Sequence, residues 1–298
     1  MHISLARAAS DAAIIGAGKI DSNGNCREAR RGDLGRTKGE TRTMSNTASL
    51  IALAGFPLVR PGDDLAALVI AALTKGGHRI AAGDVLVLAQ KIVSKAEGRY
   101  VDLAGVEPSA RALALAAETG KDPRLVEVIL GESSRVVRHA PNVLIVEHRL
   151  GFVMANAGVD RSNVDPEAGA EPVLLLPRAP DASAAALRSR LAAHFGEAPS
   201  VIISDSFGRA WRRGTVGIAL GAAGLPSLMD LRGQPDLYGR ELRVTETGFA
   251  DEIAAAASLL MGQGNEGIPA VLLRGLSWFA AALPAAQLIR PADEDLFR

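Results

Sequence analysis

The feature that most constrains this chain is a series of short apolar runs at residues 84–89, 142–147, 152–155, 173–176, 200–204 and 269–273, each bounded by Gly, Pro or polar residues. Runs of that length suit buried strands and are too short to be amphipathic helices. Between them lie segments of helical character. Residues 63–75 carry Leu65, Leu68, Val69, Ala72 and Leu73 on one face, and Gly76-Gly77 stops the helix. Residues 108–118 open on proline and are alanine-rich, 123–137 read as a second helix, and 251–261 read as another. Asp181-Ala182-Ser183 reads as the cap of a helix running to about His194. A turn at 149–151 joins 142–147 to 152–155 as a hairpin, and 245–249 read as extended. Strands and helices do not alternate regularly. The expectation is therefore an α+β fold with mixed and antiparallel sheets, rather than a doubly wound parallel sheet.

The chain has 298 residues, 48% of them hydrophobic, which is ample for a sizeable core in one large domain or two small ones. Residues 1–46 stand apart. The stretch 21–43 is rich in Arg, Gly, Asn and Thr with no apolar periodicity, and reads as a disordered extension before a domain at 47–298. Met44 is a candidate start of translation. Gly16-Ala17-Gly18 follows a short apolar run but lacks the third glycine and the helix of a dinucleotide loop. Lys and Arg number 33, as do Asp and Glu, and aromatics are 4% of the chain; neither suits a dedicated nucleic-acid binder. Cys26 is the single cysteine, so an intrachain disulfide and a cysteine-rich zinc site are both excluded. The five histidines show no ligand spacing. No apolar run reaches the length of a membrane span, and no signal-peptide core is evident, which suits a cytoplasmic protein.

Four stretches share a design in which an apolar element runs into residues dense in Gly, Asp, Asn and Arg. The first, 90–99, offers a lysine that could meet a phosphate, or is a solvated strand end. The second, 156–164, offers Asp160 as an oxygen ligand for a hard cation and Asn163 as a phosphate or base contact, or is only an Asn/Gly/Asp turn. The third, 204–214, puts Asp205 and Ser206 at the end of an apolar strand, followed by Arg209, Arg212 and Arg213 around Trp211. That suits a metal-bound carboxylate and recognition of phosphate or carboxylate by guanidinium groups, against the alternative of a basic turn. The fourth, 261–269, has three glycines that would let backbone N–H groups approach phosphates, or is a helix C-cap with a turn. No P-loop signature and no Gly-x-Ser-x-Gly elbow occurs. Oxygen donors, arginines and glycine loops together suit a hard metal holding phosphates.

These stretches closely resemble the coenzyme F-420-0:L-glutamate ligase family, the γ-glutamyl ligases of the deazaflavin coenzyme F-420. The resemblance runs from about Gly55 to Gly275 and includes Asp236-Leu237-Tyr238-Gly239-Arg240-Glu241-Leu242, Ala250-Asp251-Glu252-Ile253-Ala254 and Leu260-Met261-Gly262. It implies a ligase that phosphorylates a carboxylate of the coenzyme with GTP and then joins L-glutamate by an amide bond, with further rounds extending a γ-linked tail. It implies two divalent cations, manganese or magnesium, a potassium ion, and an intertwined homodimer of the γ-glutamyl ligase-like fold. By position it implies that Phe56, Pro57, Leu58 and Val59 line the GTP site, with Gln90, Lys95 and Asn163 as nucleotide contacts. Asp160 and Asp205 would hold the first metal, with Lys95 beside them in the catalytic set. Ser206, where the family can have Thr, and Gln263, where it can have Glu, would hold the second. The loop Met261, Gly262, Gln263, Gly264, Asn265, Glu266, Gly267 and Ile268 would cover the nucleotide. Arg209, Arg212 and Arg213 are candidates to grip the phosphate of the coenzyme or of the nucleotide. Some relatives carry a C-terminal flavin-binding domain, for which residues up to Arg298 leave no room. Other readings of the same loops are a metal-dependent phosphotransferase or nucleotide hydrolase, and a non-catalytic binding protein; the pair Asp160 and Asp205 disfavours the last.

Overall fold

The computed structural model describes residues 47–296. The extension expected at 1–46, with Gly16-Ala17-Gly18, Cys26 and Met44, lies outside the described residues. The chain divides into two units, Met1–Thr43 and Met44–Arg298, and every described residue belongs to the second.

The elements in chain order are β1 (Ser49–Ala52), α1 (Leu65–Lys75), β2 (Val85–Ala89), α2 (Gln90–Ala96), β3 (Tyr100–Asp102), α3 (Ala110–Thr119), α4 (Pro123–Gly131), β4 (Ser133–Ala140), β5 (Val143–His148) and β6 (Val153–Ala155). They continue with β7 (Pro172–Leu174), α5 (Pro180–Phe195), β8 (Ser200–Arg209), β9 (Arg212–Ala223), β10 (Met229–Asp230), β11 (Glu246–Thr247), α6 (Phe249–Met261) and β12 (Ala270–Arg274). The expected α+β class holds. No helix among the described residues is long and apolar enough to cross a membrane.

The centre is a five-stranded sheet in the order β1-β12-β2-β8-β9. Only β2 and β8 run parallel in it; the other pairs are antiparallel. Strands β2 and β12 are buried on both faces, which explains their unbroken apolar runs. On one face Leu86, Leu88, Val201, Ile203 and Leu272 pack with Val69 and Leu73 of α1 and with Leu187 and Leu191 of α5. On the other, Val85, Val87, Ile202, Val271 and Leu273 pack with Ile253, Ala254 and Ala257 of α6. A second layer packs α3 and α4 on the sheet β4-β5-β6 through Ala112, Ala116, Val126, Ile129, Leu144 and Val146.

Helix starts follow local chemistry. Asp64 accepts Ala67 N at the head of α1, and Ser109 accepts Ala112 N at the head of α3. Asp122 accepts Arg124 N while Pro123 fills the first position of α4.

Four expectations need correction. The helix expected over 123–137 ends at Gly131, and 133–140 form β4, because Val136 and its neighbours find partners on β5. Residues 90–96 are helix α2, not a solvated strand end. Residues 204–214 are the far part of a long β8–β9 hairpin whose tip is Ala210-Trp211, with Trp211 at φ 64. Asp181 does not cap α5, whose N-cap is Ala179. The carboxylate of Asp181 instead accepts Ala222 N at 2.8 Å and Ala285 N at 2.7 Å.

Candidate functional site

Parallel pairing of β2 with β8 puts Ala89 opposite Ser204, so the carboxyl ends of both strands emerge at one edge of the sheet. That edge receives Gln90 at the head of α2, and Asp205 and Ser206 on β8. Strand β12 runs the other way, so it brings its start to the same edge, where Ala89 N donates to Pro269 O at 2.8 Å. The glycine loop 262–268 is thereby placed over the strand ends. Carboxyl ends of parallel strands at a break in sheet order are where ligands commonly bind in α/β architectures, and this mixed sheet has such an edge.

A cleft of about 510 Å³ opens there. It is lined by Phe56, Pro57, Leu58, Val59, Gln90, Lys95, Asn163, Asp205, Ser206, Met261, Gly262, Gln263, Gly264, Asn265, Gly267 and Ile268 from the expected set. The structure thus gathers these residues around one space. Lys91, Val164, Asp165, Ser204 and Ser258 line it as well. Apolar walls from Phe56, Val59, Ile92 and Ile268 face a polar set from Gln90, Lys91, Lys95 and Asp205, the division expected for a ligand with a flat apolar part and a charged part.

Asp160 reaches the site through Lys91. Lys91 Nζ lies 2.7 Å from Asp160 Oδ2 and donates to Ser162 Oγ at 2.6 Å. Ser162 N donates to Asp160 Oδ1 at 2.7 Å, and its hydroxyl to Oδ2 at 3.0 Å. Burial alone would raise the Asp160 carboxyl, but hydrogen bonds from Lys91 and Ser162 outweigh it and hold the group below the usual carboxylate range. The backbone of Asp160 exchanges hydrogen bonds with Leu174 of β7 at 3.0 and 2.9 Å, which fixes where the side chain starts. Just before it, Asn156 (φ 54) and Ala157 (φ 51) hold left-handed conformations that non-glycine residues seldom adopt. Gly158 must be glycine, since a Cβ there would meet Leu176 and Met154 within 2.9 Å. This strained turn aims the chain back toward the cleft, and Asn163 Nδ2 closes on Gly264 O at 3.2 Å.

Asp205 is in the opposite electrostatic condition. Desolvation pushes its carboxyl up to about 6, with the negative Asp160 adding to the rise and Ser206 N–H and Lys91 opposing it. A desolvated carboxylate without a full counter-charge is a place where a cation gains most. Lys95 is shifted downward by burial and by the like charge of Lys91. Ser206 Oγ donates to Gln263 Oε1 at 2.9 Å, so these two oxygen donors are neighbours across the cleft. Ser94 Oγ donates to Gln90 Oε1 at 2.8 Å and fixes the orientation of the buried Gln90 amide.

The donors fit a hard cation. Among the described residues no group of three or more His, Cys, Asp or Glu could hold a metal by itself. Two carboxylates with a hydroxyl and an amide oxygen suit an ion that completes its shell with phosphate oxygens and water, as magnesium and manganese do.

Some expected residues fall elsewhere. Glu266 does not line the cleft; its carboxylate accepts Gly264 N at 2.8 Å and is held low by the amides of its own loop. Arg209, Arg212 and Arg213 lie around the hairpin tip outside the cleft, with Arg212, Arg213 and Trp211 exposed. Lys91, Ser162 and Asp165 were not singled out from the sequence. Lys91 sits one residue from Gln90, and the four-residue step from Lys91 to Lys95 is the helical spacing that puts both ammonium groups on one face of α2.

Comparison with known proteins finds relatives that span most of the chain. The profile of the family described as F420-0:Gamma-glutamyl ligase matches residues 55–275. The chain is 50% identical over 252 residues to the coenzyme F420:L-glutamate ligase of Methanothermobacter thermautotrophicus, covering 84% of this chain and 98% of that protein. It is 48% identical over 244 residues to the protein of that name from Methanopyrus kandleri, covering 80% and 93%. With the Archaeoglobus fulgidus protein of the same name it shares 45% over 244 residues, covering 82% and 94%.

Proposed function

The chain belongs to the F420-0:gamma-glutamyl ligase family, and from that premise we propose that it is a ligase of coenzyme F420 biosynthesis. It adds L-glutamate to the deazaflavin coenzyme F420-0 in the cytoplasm, first one residue and then further γ-linked residues, using GTP. The observation that carries this reading is one cleft lined by Asp205, Lys91, Lys95 and the glycine loop, with Asp160 outside its lining and joined to it through Lys91, all on elements distant in sequence.

In this reading a carboxylate oxygen of the coenzyme attacks the γ-phosphorus. The bond from that phosphorus to the β-phosphate oxygen breaks and GDP leaves. The amine of glutamate then attacks the acyl carbon, the C–O bond to phosphate breaks, and the amine loses a proton as the amide forms. Asp160 and Asp205 would hold one divalent cation, manganese or magnesium; Ser206 and Gln263 would contribute to a second, and potassium would accompany them. Such cations screen the repulsion between triphosphate and carboxylate. Lys91 and Lys95 present positive charge to phosphates, and the backbone N–H groups of 262–268 approach them closely. Phe56, Pro57, Leu58 and Val59 give the base an apolar bed, with Gln90 and Asn163 to orient it. The apolar walls keep water from the acyl phosphate, whose hydrolysis would leave a nucleotide hydrolase. Arg209, Arg212 and Arg213 lie beyond Ser206 on the same hairpin, where they suit the distant phosphate of the coenzyme better than the nucleotide.

Incubating the protein with F420-0, L-glutamate, GTP and manganese is expected to yield coenzyme heavier by one or more glutamate residues in mass spectrometry, and none without GTP. Loss of GTP with no heavier product would replace this reading by a phosphotransferase or hydrolase. A homodimer is part of the same proposal. Trp211 (88% exposed), Leu237 (101%) and Tyr238 (86%) present apolar surface at the β8–β9 hairpin tip and in the segment between β10 and β11 that a second copy would cover. Light scattering that returns the mass of a single chain would remove it.

A further inference from the structure

Asp181 and Asp251 lie outside the cleft, yet both carboxylates accept backbone N–H groups of β9, the edge strand of the main sheet. Asp181 Oδ1 takes Ala222 N at 2.8 Å, and Asp251 Oδ1 takes Ala219 N at 2.8 Å. Between these two points β9 carries one extra residue. Ile203 pairs with Gly221 but Ser204 pairs with Ala219, so Leu220 is bulged out of the ladder.

The bulge changes which way side chains point. In an unbroken strand Ala219 and Ala222, three apart, would face opposite sides; here both pack in the cluster of Ile253, Ala254 and Ala257 of α6. Leu220 turns instead into the cluster of Phe152, Leu176 and Phe207. Gly217 abuts the Ala254 carbonyl and Gly221 abuts the Pro180 backbone, so β9 is tight against α6 and α5 on the two sides of the bulge. The register step falls between Ile203 and Ser204, immediately before Asp205 and Ser206. The extra residue lies on β9 and reverses the faces of that strand alone, so the bulge sets which β9 backbone groups, those of Ile218 and Gly217, pair with Asp205 and Ser206 at the cleft.

We propose that Asp251 is a positioning residue: by accepting the Ala219 N–H it holds the β9 bulge, and with it the Ile218 and Gly217 backbone against which Asp205 and Ser206 are seated at the cleft. The proposal rests on the reading of those two residues as metal ligands. The acceptor oxygen, rather than the charge, does the holding. The Asp251 carboxyl is itself pushed up by desolvation, so a neutral acceptor of the same shape serves equally.

The test uses the full chain and three variants, with Mn²⁺ binding followed by electron paramagnetic resonance of free ion and amide hydrogen exchange followed on residues 215–222. Asp251→Ala is expected to keep its helical circular dichroism, to bind Mn²⁺ at least tenfold more weakly, and to exchange amides of that segment at least tenfold faster. Asp251→Asn is expected to restore both to within about twofold, because its amide oxygen accepts the same N–H. Asp251→Thr, too short to reach Ala219, is read as alanine is, should the alanine variant not fold. Wild-type Mn²⁺ binding in folded Asp251→Ala overturns the proposal, as does an Asp251→Asn no better than alanine, and as does failure of both the alanine and threonine variants to fold. Should the wild-type protein bind no Mn²⁺, the metal reading falls, and unchanged exchange over 215–222 in Asp251→Ala would separately overturn the bulge-holding role.

Discussion

Asp205→Asn is expected to lower glutamylation of the coenzyme by about a thousandfold or more while leaving the fold intact. Removing one group that stabilises charge developing in a transition state typically costs two to three powers of ten, and a lost metal ligand belongs with the larger losses. The change is nearly isosteric, so the β8 ladder and the Ser206–Gln263 contact have no steric reason to move. The sign of the accompanying stability change separates this residue from a structural one. Burial raises the Asp205 carboxyl from 3.8 to about 6. Its contribution to stability is therefore most favourable below about pH 4 and is lost as pH rises through about 6. At neutral pH the metal-free folded protein carries a desolvated charge, and the asparagine variant is expected to melt at the same temperature or higher. Added manganese should raise the melting temperature of the parent and not of the variant. Both are read by thermal unfolding with and without the ion, beside turnover by mass spectrometry. An Asp205→Asn enzyme with more than about a tenth of parental turnover would remove Asp205 from the catalytic set.

Gly221→Ala is expected to destabilise the protein by about 3 kcal/mol, at the upper end for overpacking, although it adds only a methyl group. A Cβ at Gly221 would sit 2.3 Å from the Pro180 carbonyl carbon, 2.4 Å from its oxygen and 2.8 Å from Asp181 N. All three are backbone atoms, so no side-chain rotation relieves the overlap, and either α5 or β9 must retreat. Retreat would stretch the hydrogen bonds from Ala222 N and Ala285 N to Asp181, and their weakening is part of that cost. For a domain of this size the melting temperature should fall by about 6–12 °C. Gly208→Ala is the control. Nothing lies within 4 Å of a Cβ there, and the change is expected to stay within about 0.5 kcal/mol. A Gly221→Ala protein melting within about 2 °C of the parent would contradict the close approach of α5 to β9.

Much of the local structure was legible because its causes are local. The runs at 84–89, 200–204 and 269–273 became β2, the start of β8, and β12, since a strand buried on both faces needs an unbroken apolar stretch. The Gly76-Gly77 pair marked the end of α1. The errors occur where distant partners outvote local preference. Residues 133–140 continue plausibly from α4, but β5 offers them a ladder. Residues 212–223 contain three glycines and three alanines, poor strand formers, yet form β9, because only small residues let α5 and α6 lie against it. Residues 90–96 span too few turns to show helical periodicity, so α2 was invisible as a helix and with it the shared face of Lys91 and Lys95.

By itself the sequence determined the chemistry this protein can use: oxygen donors at Asp160, Asp205 and Ser206, glycines over 262–267, no thiolate or imidazole cluster, and a pattern of motifs belonging to one family. Only the tertiary structure decided which of these residues share a space. It joined Lys91 to Ser162 across 71 positions, set Ser206 beside Gln263 across 57, left Glu266 turned to its own loop, and put the three arginines outside the cleft. Donor type is a property of a side chain and can be read one residue at a time. Proximity depends on strand order, direction and register, and here it turns on one parallel strand pair, because a strand's direction selects the edge where its residues emerge.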